Sequence, residues 1–223
     1  MLALNFKGAK IHKKEVFFLL KKGLKALFFS YIRPTKTNNM KKTIIATLVA
    51  GLILFLWQFA SWGPMFVHGS NMQYTPKQDA LLKAMADQGL EEGEYFLPNV
   101  PQSASNEERT ALQEAMPGKP WAQVSYHEAH NFSFPMNLLR GFIIDLVAAF
   151  FLVWILMSNR DNTFKHSVLV SLAVGFIGYF TISYLDSIWF ESNSIPYLID
   201  TVVAWGLVGC WLGWYLNRGG AES

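Results

Sequence analysis

The sequence has a single cysteine, Cys210, and it lies within an apolar run. One thiol excludes an internal disulfide and any mechanism that needs a pair of redox-active thiols. The sequence also has no glycine-rich phosphate loop, no nucleophile elbow and no cysteine cluster. No histidine lies in the middle of an apolar run, which argues against a haem held by two histidines between membrane helices. These absences favour a protein that is not an enzyme and that uses no cofactor.

Charged residues are scarce as well. They make up 16% of the 223 residues, against about 25% in an ordinary soluble domain. Hydrophobic residues make up 52%, and they gather into four long blocks. Blocks of this length are typical of helices that cross a bilayer. The sequence therefore predicts an all-α membrane protein, a four-transmembrane-helix bundle with a small, mostly α external loop domain between helices 1 and 2.

The four blocks predict transmembrane helices at residues 43–60, 138–157, 166–185 and 195–216. The first block also resembles a signal peptide, because Lys41 and Lys42 precede it. No small-x-small cleavage site follows it, however, and Trp57 and Trp62 suit the aromatic belt of a retained helix. We therefore expect an uncleaved anchor.

Residues 1–42 form a basic arm with eleven Lys or Arg and one acid, Glu15. Basic and apolar patches alternate in the arm, as in an amphipathic helix that lies on anionic lipid. The favoured alternative is that residues 1–39 are translated upstream sequence, because Met40 followed by two lysines and an apolar run resembles a genuine start. Nucleic-acid binding is disfavoured, because apolar residues interleave with the bases.

The charges outside the apolar blocks predict the topology. The loop 63–135 has nine acids and four bases, and the short loop 186–194 has acids but no Lys or Arg. The turn 158–165 carries Arg160 and Lys165, and the tail 217–223 carries Arg218. The positive-inside rule then predicts a multi-pass protein of the plasma or inner membrane, with both termini cytoplasmic and residues 63–135 extracytoplasmic.

Local signals in the loop 63–135 predict two short helices. Pro76 precedes apolar residues at helical spacing, and Gly89 is a suitable stop. Ser105, followed three residues later by Glu108, predicts a capping box at the start of a second helix at 106–116. Residues 95–97 and 121–126 are expected to form short extended pieces.

Two acids lie inside the predicted spans, where an ionisable side chain is costly and usually has a partner or a function. Asp145 and Asp200 occupy the same position in two similar segments, 142–150 and 197–205, which share Ile, Asp, Val and Ala. Both segments run inward, so the two carboxylates are expected roughly 7–10 Å below the outer edge. The match indicates either an internal duplication with a shared structural role or chance resemblance between apolar segments.

Arg140 is the cation available to these acids. It lies five residues before Asp145, about 140° round the helix, so a partner on another helix, Asp186 or Asp200, is expected. The favoured hypothesis is a structural Arg–Asp cluster in an accessory component that acts through protein–protein contacts or as a homo-oligomer. The alternative is a proton- or cation-linked site in a small transporter. Arg140 reaching out to the lipid headgroups would weaken both hypotheses.

One histidine cluster could bind a metal, since His127, Glu128 and His130 carry donors for zinc or copper, with His68 elsewhere in the same loop. The spacing is not the H-E-x-x-H that places both histidines on one helix face. A strand through residues 121–126 would point His127 and His130 to opposite faces. A solvated loop is the better interpretation.

Small residues in the third and fourth blocks predict close helix packing. The fourth block contains one G-x-x-x-G motif, at positions 209 and 213, which indicates either a compact bundle or a face for self-association. The predicted packing residues are Gly175, Gly178, Gly206, Gly209 and Gly213.

Overall fold

The computed structural model describes residues 37–159 and 162–218. The chain divides into two units, Met1–Ile45 and Ala46–Ser223. The described part of the first unit is the start of one helix, and the contacts below belong to the second unit. Most of the basic arm, Arg160 in the turn and the last five residues of the tail lie outside the described residues.

The described chain is mostly helical. Four of its helical stretches are long and apolar enough to cross a membrane, which confirms the four predicted apolar helices and fits a multi-pass membrane protein. A single widened turn of π-helix, Tyr179–Tyr184, joins the helix that ends at Gly178 to the helix that begins at Leu185 without a break. The helices are α1 (Thr37–Trp62), α2 (Gln78–Asp87), α3 (Asn106–Ala115), α4 (Phe134–Ser158), α5 (Phe164–Gly178), α6 (Leu185–Phe190) and α7 (Ile195–Leu216).

The third span is longer than the sequence predicts. The prediction ends it at residue 185 and begins a loop at Asp186, whereas the helix continues to Phe190. Neither glycine nor proline interrupts this stretch, and the helix ends only at Glu191, whose backbone is left-handed (φ 51°). The predicted loop therefore shrinks to residues 191–194, and Asp186 lies on a helix.

The buried apolar core draws on three of the long helices. α1 contributes Ala50 and Leu54, α4 contributes Leu152, and α7 contributes Val208 and residues near it. These side chains are almost completely buried. Because lipid tails are as apolar as leucine, van der Waals packing is the main gain from such contacts inside a bilayer.

α5 packs against α7 at points where glycine leaves room. A Cβ at Gly209 would lie 2.9 Å from the Cα of Val168, and one at Gly213 would lie 2.9 Å from Phe164 Cδ2. A Cβ at Gly175 would collide with the ring of Trp205. The G-x-x-x-G pair thus faces a helix of the same chain.

The other two predicted packing glycines have more space around them. A Cβ at Gly206 would come no closer than 3.9 Å to Leu172, and one at Gly178 would meet nothing within 4 Å. Small size is therefore required at three of the five positions and is not required at these two.

The segment between α1 and α4 contains α2, α3 and a two-stranded antiparallel sheet. β1 (Gly93–Leu97) pairs with β2 (Ala122–Tyr126), and Gly93 lies opposite Tyr126. The extended pieces expected at 95–97 and 121–126 thus correspond to the two strands, the second of which begins at Ala122. The predicted fold class is all-α with a mostly α loop domain, so this small sheet is an addition to it. Gly89 is left-handed (φ 68°) just after α2, as its expected role as a helix stop requires.

The capping box at the start of α3 is confirmed. The N–H of Glu108 donates to Ser105 Oγ at 3.2 Å, and the N–H of Ser105 donates to Glu108 Oε2 at 2.8 Å. The backbone N–H of Glu107 and the Ser105 hydroxyl both lower the pKa of the exposed Glu107 carboxyl from its ordinary value. The two hydrogen bonds between Ser105 and Glu108 occupy N–H groups that the start of a helix otherwise leaves unpaired.

Candidate functional site

Asp200, near the start of α7, accepts hydrogen bonds from two side chains of α1. Its Oδ1 accepts from the indole Nε1 of Trp57 at 2.9 Å and from the hydroxyl of Ser61. Trp57 and Ser61 are four residues apart, so they lie one above the other on the same face of α1. Two side chains in the last turns of α1 therefore donate hydrogen bonds to a carboxylate of α7. A hydrogen bond to a carboxylate is stronger than one between neutral groups.

His68 completes this arrangement from the segment that follows α1. Its Nε2 lies 2.7 Å from Asp200 Oδ2, and the pair is ionic whenever the imidazole is protonated. The ring is 4% exposed. It stacks on Trp62 with centroids 3.8 Å apart and meets the edge of Tyr197 at 4.8 Å. We call Trp57, Ser61, His68 and Asp200 the Asp200 site.

Turns directly after α1 bring His68 to this position. The N–H of Met65 donates to the carbonyl of Ala60 at 3.0 Å, and the N–H of Val67 donates to the carbonyl of Ser61 at 3.1 Å. These bonds fold the chain back against the end of α1. His68 thereby reaches the acid that Ser61 also contacts.

Asp145, on α4, is held by a different residue of α1. Its Oδ1 accepts from Gln58 Nε2 at 2.9 Å, and the residue is 4% exposed. Within the described residues, Asp145 Oδ2 and the Nδ1 of His68 are buried without a hydrogen-bond partner. Buried polar atoms are nearly always paired, so a proton, a cation or water at either of these two atoms would supply a missing partner.

The positions of the donors on α1 relate the two carboxylates to each other. Trp57 and Gln58 are consecutive, so their side chains leave the helix about 100° apart. Asp200 and Asp145 therefore reach the same turn of α1 from different sides. This geometry agrees with the similar depth predicted for the two acids. The acids share α1 as the source of their hydrogen-bond donors, and they do not share a cation.

Arg140 is not part of this arrangement. It is exposed, and it makes neither an ion pair nor a hydrogen bond within the described residues. Asp186 is also exposed and accepts a hydrogen bond from Ser192 Oγ at 3.2 Å. The four residues expected to form one Arg–Asp cluster are thus not brought together. The exposed Arg140 is consistent instead with a side chain that reaches the headgroups.

The histidines named as metal candidates lie after β2. His127 is 3.5 Å from the hydroxyl of Ser125, and the N–H of Glu128 donates to Glu92 Oε1 at 3.2 Å. The ring of His130 lies beside Phe132. Among residues 37–159 and 162–218, no group of three His, Cys, Asp or Glu side chains is placed to hold a metal ion.

The acids are found from the sequence, but their partners are not. Gln58 and Ser61 are three apart near the end of an apolar helix, and His68 follows shortly afterwards. Polar side chains at that spacing share a helix face. Matching these polar side chains with Asp145 and Asp200 would have identified α1 as the donor helix.

Comparison with known proteins adds no further constraint. No protein-family model, no curated protein and no solved structure matches this chain.

Proposed function

We propose that this chain is a non-enzymatic, four-pass integral membrane protein, a helix bundle that serves as a structural or accessory component through protein–protein contacts. The observation that carries the proposal is the hydrogen bonding of Asp200. Its carboxylate accepts from Trp57, Ser61 and His68, so protein groups fill most of its acceptor sites. A carboxylate paired in this way fixes neighbouring helices rather than leaving a site open for a substrate.

The proposed orientation has both termini in the cytoplasm and the acidic segment 63–135 outside, in the plasma or inner membrane. The distribution of lysine and arginine supports it, since eleven of them precede residue 43. A labelling experiment tests it in a Cys210→Ser background. A cysteine replacing Ser103 should react with an impermeant maleimide on intact cells, and one replacing Asn217 should react only after permeabilisation. The reverse pattern would overturn the orientation.

The proposed protein contacts need a surface other than the G-x-x-x-G motif. Gly209 and Gly213 already face α5, so that motif is occupied within the chain. A homo-oligomer would therefore form through another face. The mass of the detergent-solubilised protein, measured by light scattering, distinguishes a monomer from an oligomer, and a Gly209→Ala variant should leave the oligomeric state unchanged.

A second function is favoured by one specific observation, the unpartnered Oδ2 of buried Asp145. A carboxyl oxygen with no protein partner inside a bundle is where a transported proton or small cation would bind. In this alternative the protein is a small ion-linked transporter or a subunit of one. Asp145 binds the ion, and Asp200, paired with His68, lies on another side of the same α1 turn.

Ion flux into liposomes separates the two functions. The purified protein is reconstituted with a pH-sensitive dye inside, and a potassium diffusion potential is applied, with and without a sodium gradient. The structural proposal predicts flux equal to that of empty liposomes for the wild type, Asp145→Asn and Asp200→Asn. Proton flux, with or without a need for the sodium gradient, that is present in the wild type and abolished by Asp145→Asn would replace it with the transporter.

A further inference from the structure

A cavity of about 970 Å³ lies where the segment after α1 meets α6 and the start of α7. Two hydrogen bonds join its walls, one from Asn193 Nδ2 to Ser70 Oγ at 3.1 Å and one from Asn71 Nδ2 to the carbonyl of Asn193 at 3.2 Å. Its volume is at the upper end of the range found for sites that hold small molecules, roughly 300–1,000 Å³.

The charge in the cavity wall has one sign. Asp186 and Glu191 line it, and none of the described residues that line it is a lysine or an arginine. Asp186 accepts only the hydrogen bond from Ser192, and Glu191 makes neither a hydrogen bond nor an ion pair within the described residues. Two carboxylates without a nearby cation create a negative potential that favours a positively charged ligand.

The remaining walls are rich in aromatic rings. Trp62, Trp189, Phe190 and Tyr197 all line the cavity, and Trp189 is 73% exposed. An exposed indole of this kind is an open aromatic face. Cations bind favourably over aromatic faces, most strongly over tryptophan, and quaternary ammonium groups are recognised in this way.

The backbone at this end of the third span is unusual in two respects. A π-helical turn, Tyr179–Tyr184, precedes α6, and Glu191 has a left-handed backbone that residues with a Cβ seldom adopt. Both features occur often at functional sites. They place Asp186 and Glu191 at the two ends of α6, both facing the cavity.

From the cavity, its carboxylates and its aromatic walls together, we propose that this site binds a small organic cation with an ammonium head. The proposal is independent of the function proposed above. Trp62 and Tyr197 also contact His68, so a bound cation touches the same rings that enclose the Asp200 site. The ammonium group has two sources, a free amine or a choline lipid headgroup, and the experiment below distinguishes them.

The test measures equilibrium binding of radiolabelled choline to the intact protein in phosphatidylglycerol nanodiscs. Binding should be saturable. Unlabelled tetramethylammonium should compete, and 3,3-dimethyl-1-butanol, the neutral analogue of choline, should bind at least about fivefold more weakly because it lacks the charge. Asp186→Asn and Trp189→Ala should each weaken binding by about three- to tenfold. Glu114→Gln, an exposed acid outside the cavity, is the matched control and should bind as the wild type does.

Nanodiscs made of phosphatidylcholine identify the source. Choline binding that persists there assigns the site to a free cation, and binding that is lost there assigns it to the lipid headgroup. Absence of saturable binding in phosphatidylglycerol would overturn the proposal. So would equal binding of the neutral analogue, or unchanged binding in both the Asp186→Asn and the Trp189→Ala variants. Monodisperse elution of each variant in gel filtration verifies that a loss of binding is not a loss of folding.

Discussion

Replacing Asp200 by asparagine tests whether the Asp200 site stabilises the fold. The amide keeps the shape and one acceptor oxygen for Trp57 and Ser61, but it removes the charge and the second acceptor, which lies 2.7 Å from His68 Nε2. Hydrogen bonds to charged groups contribute about 1.5–3 kcal/mol, and His68 is left buried without its partner. We therefore expect Asp200→Asn to lower the free energy of unfolding by about 2–3 kcal/mol.

The matched variant is Asp145→Asn. Its carbonyl oxygen still accepts from Gln58, and no cation loses a partner in the described structure. The change should therefore alter stability by less than about 1 kcal/mol. For a chain of this size, each kcal/mol shifts the melting temperature by about 2–4 °C, so Asp200→Asn should melt about 4–12 °C lower and Asp145→Asn within about 4 °C of the wild type.

Thermal unfolding in detergent, followed by tryptophan fluorescence, measures this difference. The reasoning is refuted if Asp200→Asn melts with the wild type, because its hydrogen bonds then contribute nothing to the folded state. It is also refuted if Asp145→Asn falls as far as Asp200→Asn. Such a result would show that burial of any carboxylate, rather than the partners it has, determines the effect.

Four further substitutions test separate parts of the fold, each by its effect on stability. Gly209→Ala should destabilise by about 1–3 kcal/mol, because its Cβ would press on the backbone of α5, whereas Gly178→Ala has open space and should not destabilise. Equal effects would contradict the packing described for α5 and α7. Glu191→Gly should raise the free energy of unfolding by about 1 kcal/mol, because glycine adopts a left-handed backbone without strain. The same change should weaken choline binding. A lower free energy of unfolding would show that the backbone at Glu191 is not strained. Ser105→Ala should cost about 1 kcal/mol, with faster amide exchange confined to α3, and unchanged exchange would exclude the cap.

Much of the fold could be predicted from the sequence because the bilayer imposes strong patterns. A helix that crosses lipid needs a long apolar run, and the four runs predict the four long helices. The end of the third helix is predicted less well. Hydropathy falls at Asp186, but nothing stops the helix before Glu191. The hydropathy of the sequence predicts where a helix leaves the apolar region. The helix itself ends where a residue adopts a non-helical backbone conformation, here at Glu191.

The two acids of the candidate site could be predicted from the sequence, but their hydrogen-bond partners could not. Asp145 and Asp200 are conspicuous because each is an acid within an apolar segment, and charge alone makes Arg140 the expected partner. The observed partners are neutral hydrogen-bond donors and one histidine. Pairing residues by opposite charge does not predict partners of this kind. Which donor faces which acid depends on the rotation of α1 about its axis, and the hydropathy of an almost uniformly apolar helix specifies that rotation poorly.

The pairing of His68 with Asp200 is the central claim, and a double-mutant cycle measures it most directly. His68→Gln, Asp200→Asn and the double variant are compared by free energy of unfolding in detergent, with His68→Gln and Asp145→Asn as the control cycle. We expect a coupling energy of about 1–3 kcal/mol for His68 with Asp200 and additivity within about 0.5 kcal/mol for the control. Additive effects in both cycles would contradict the account.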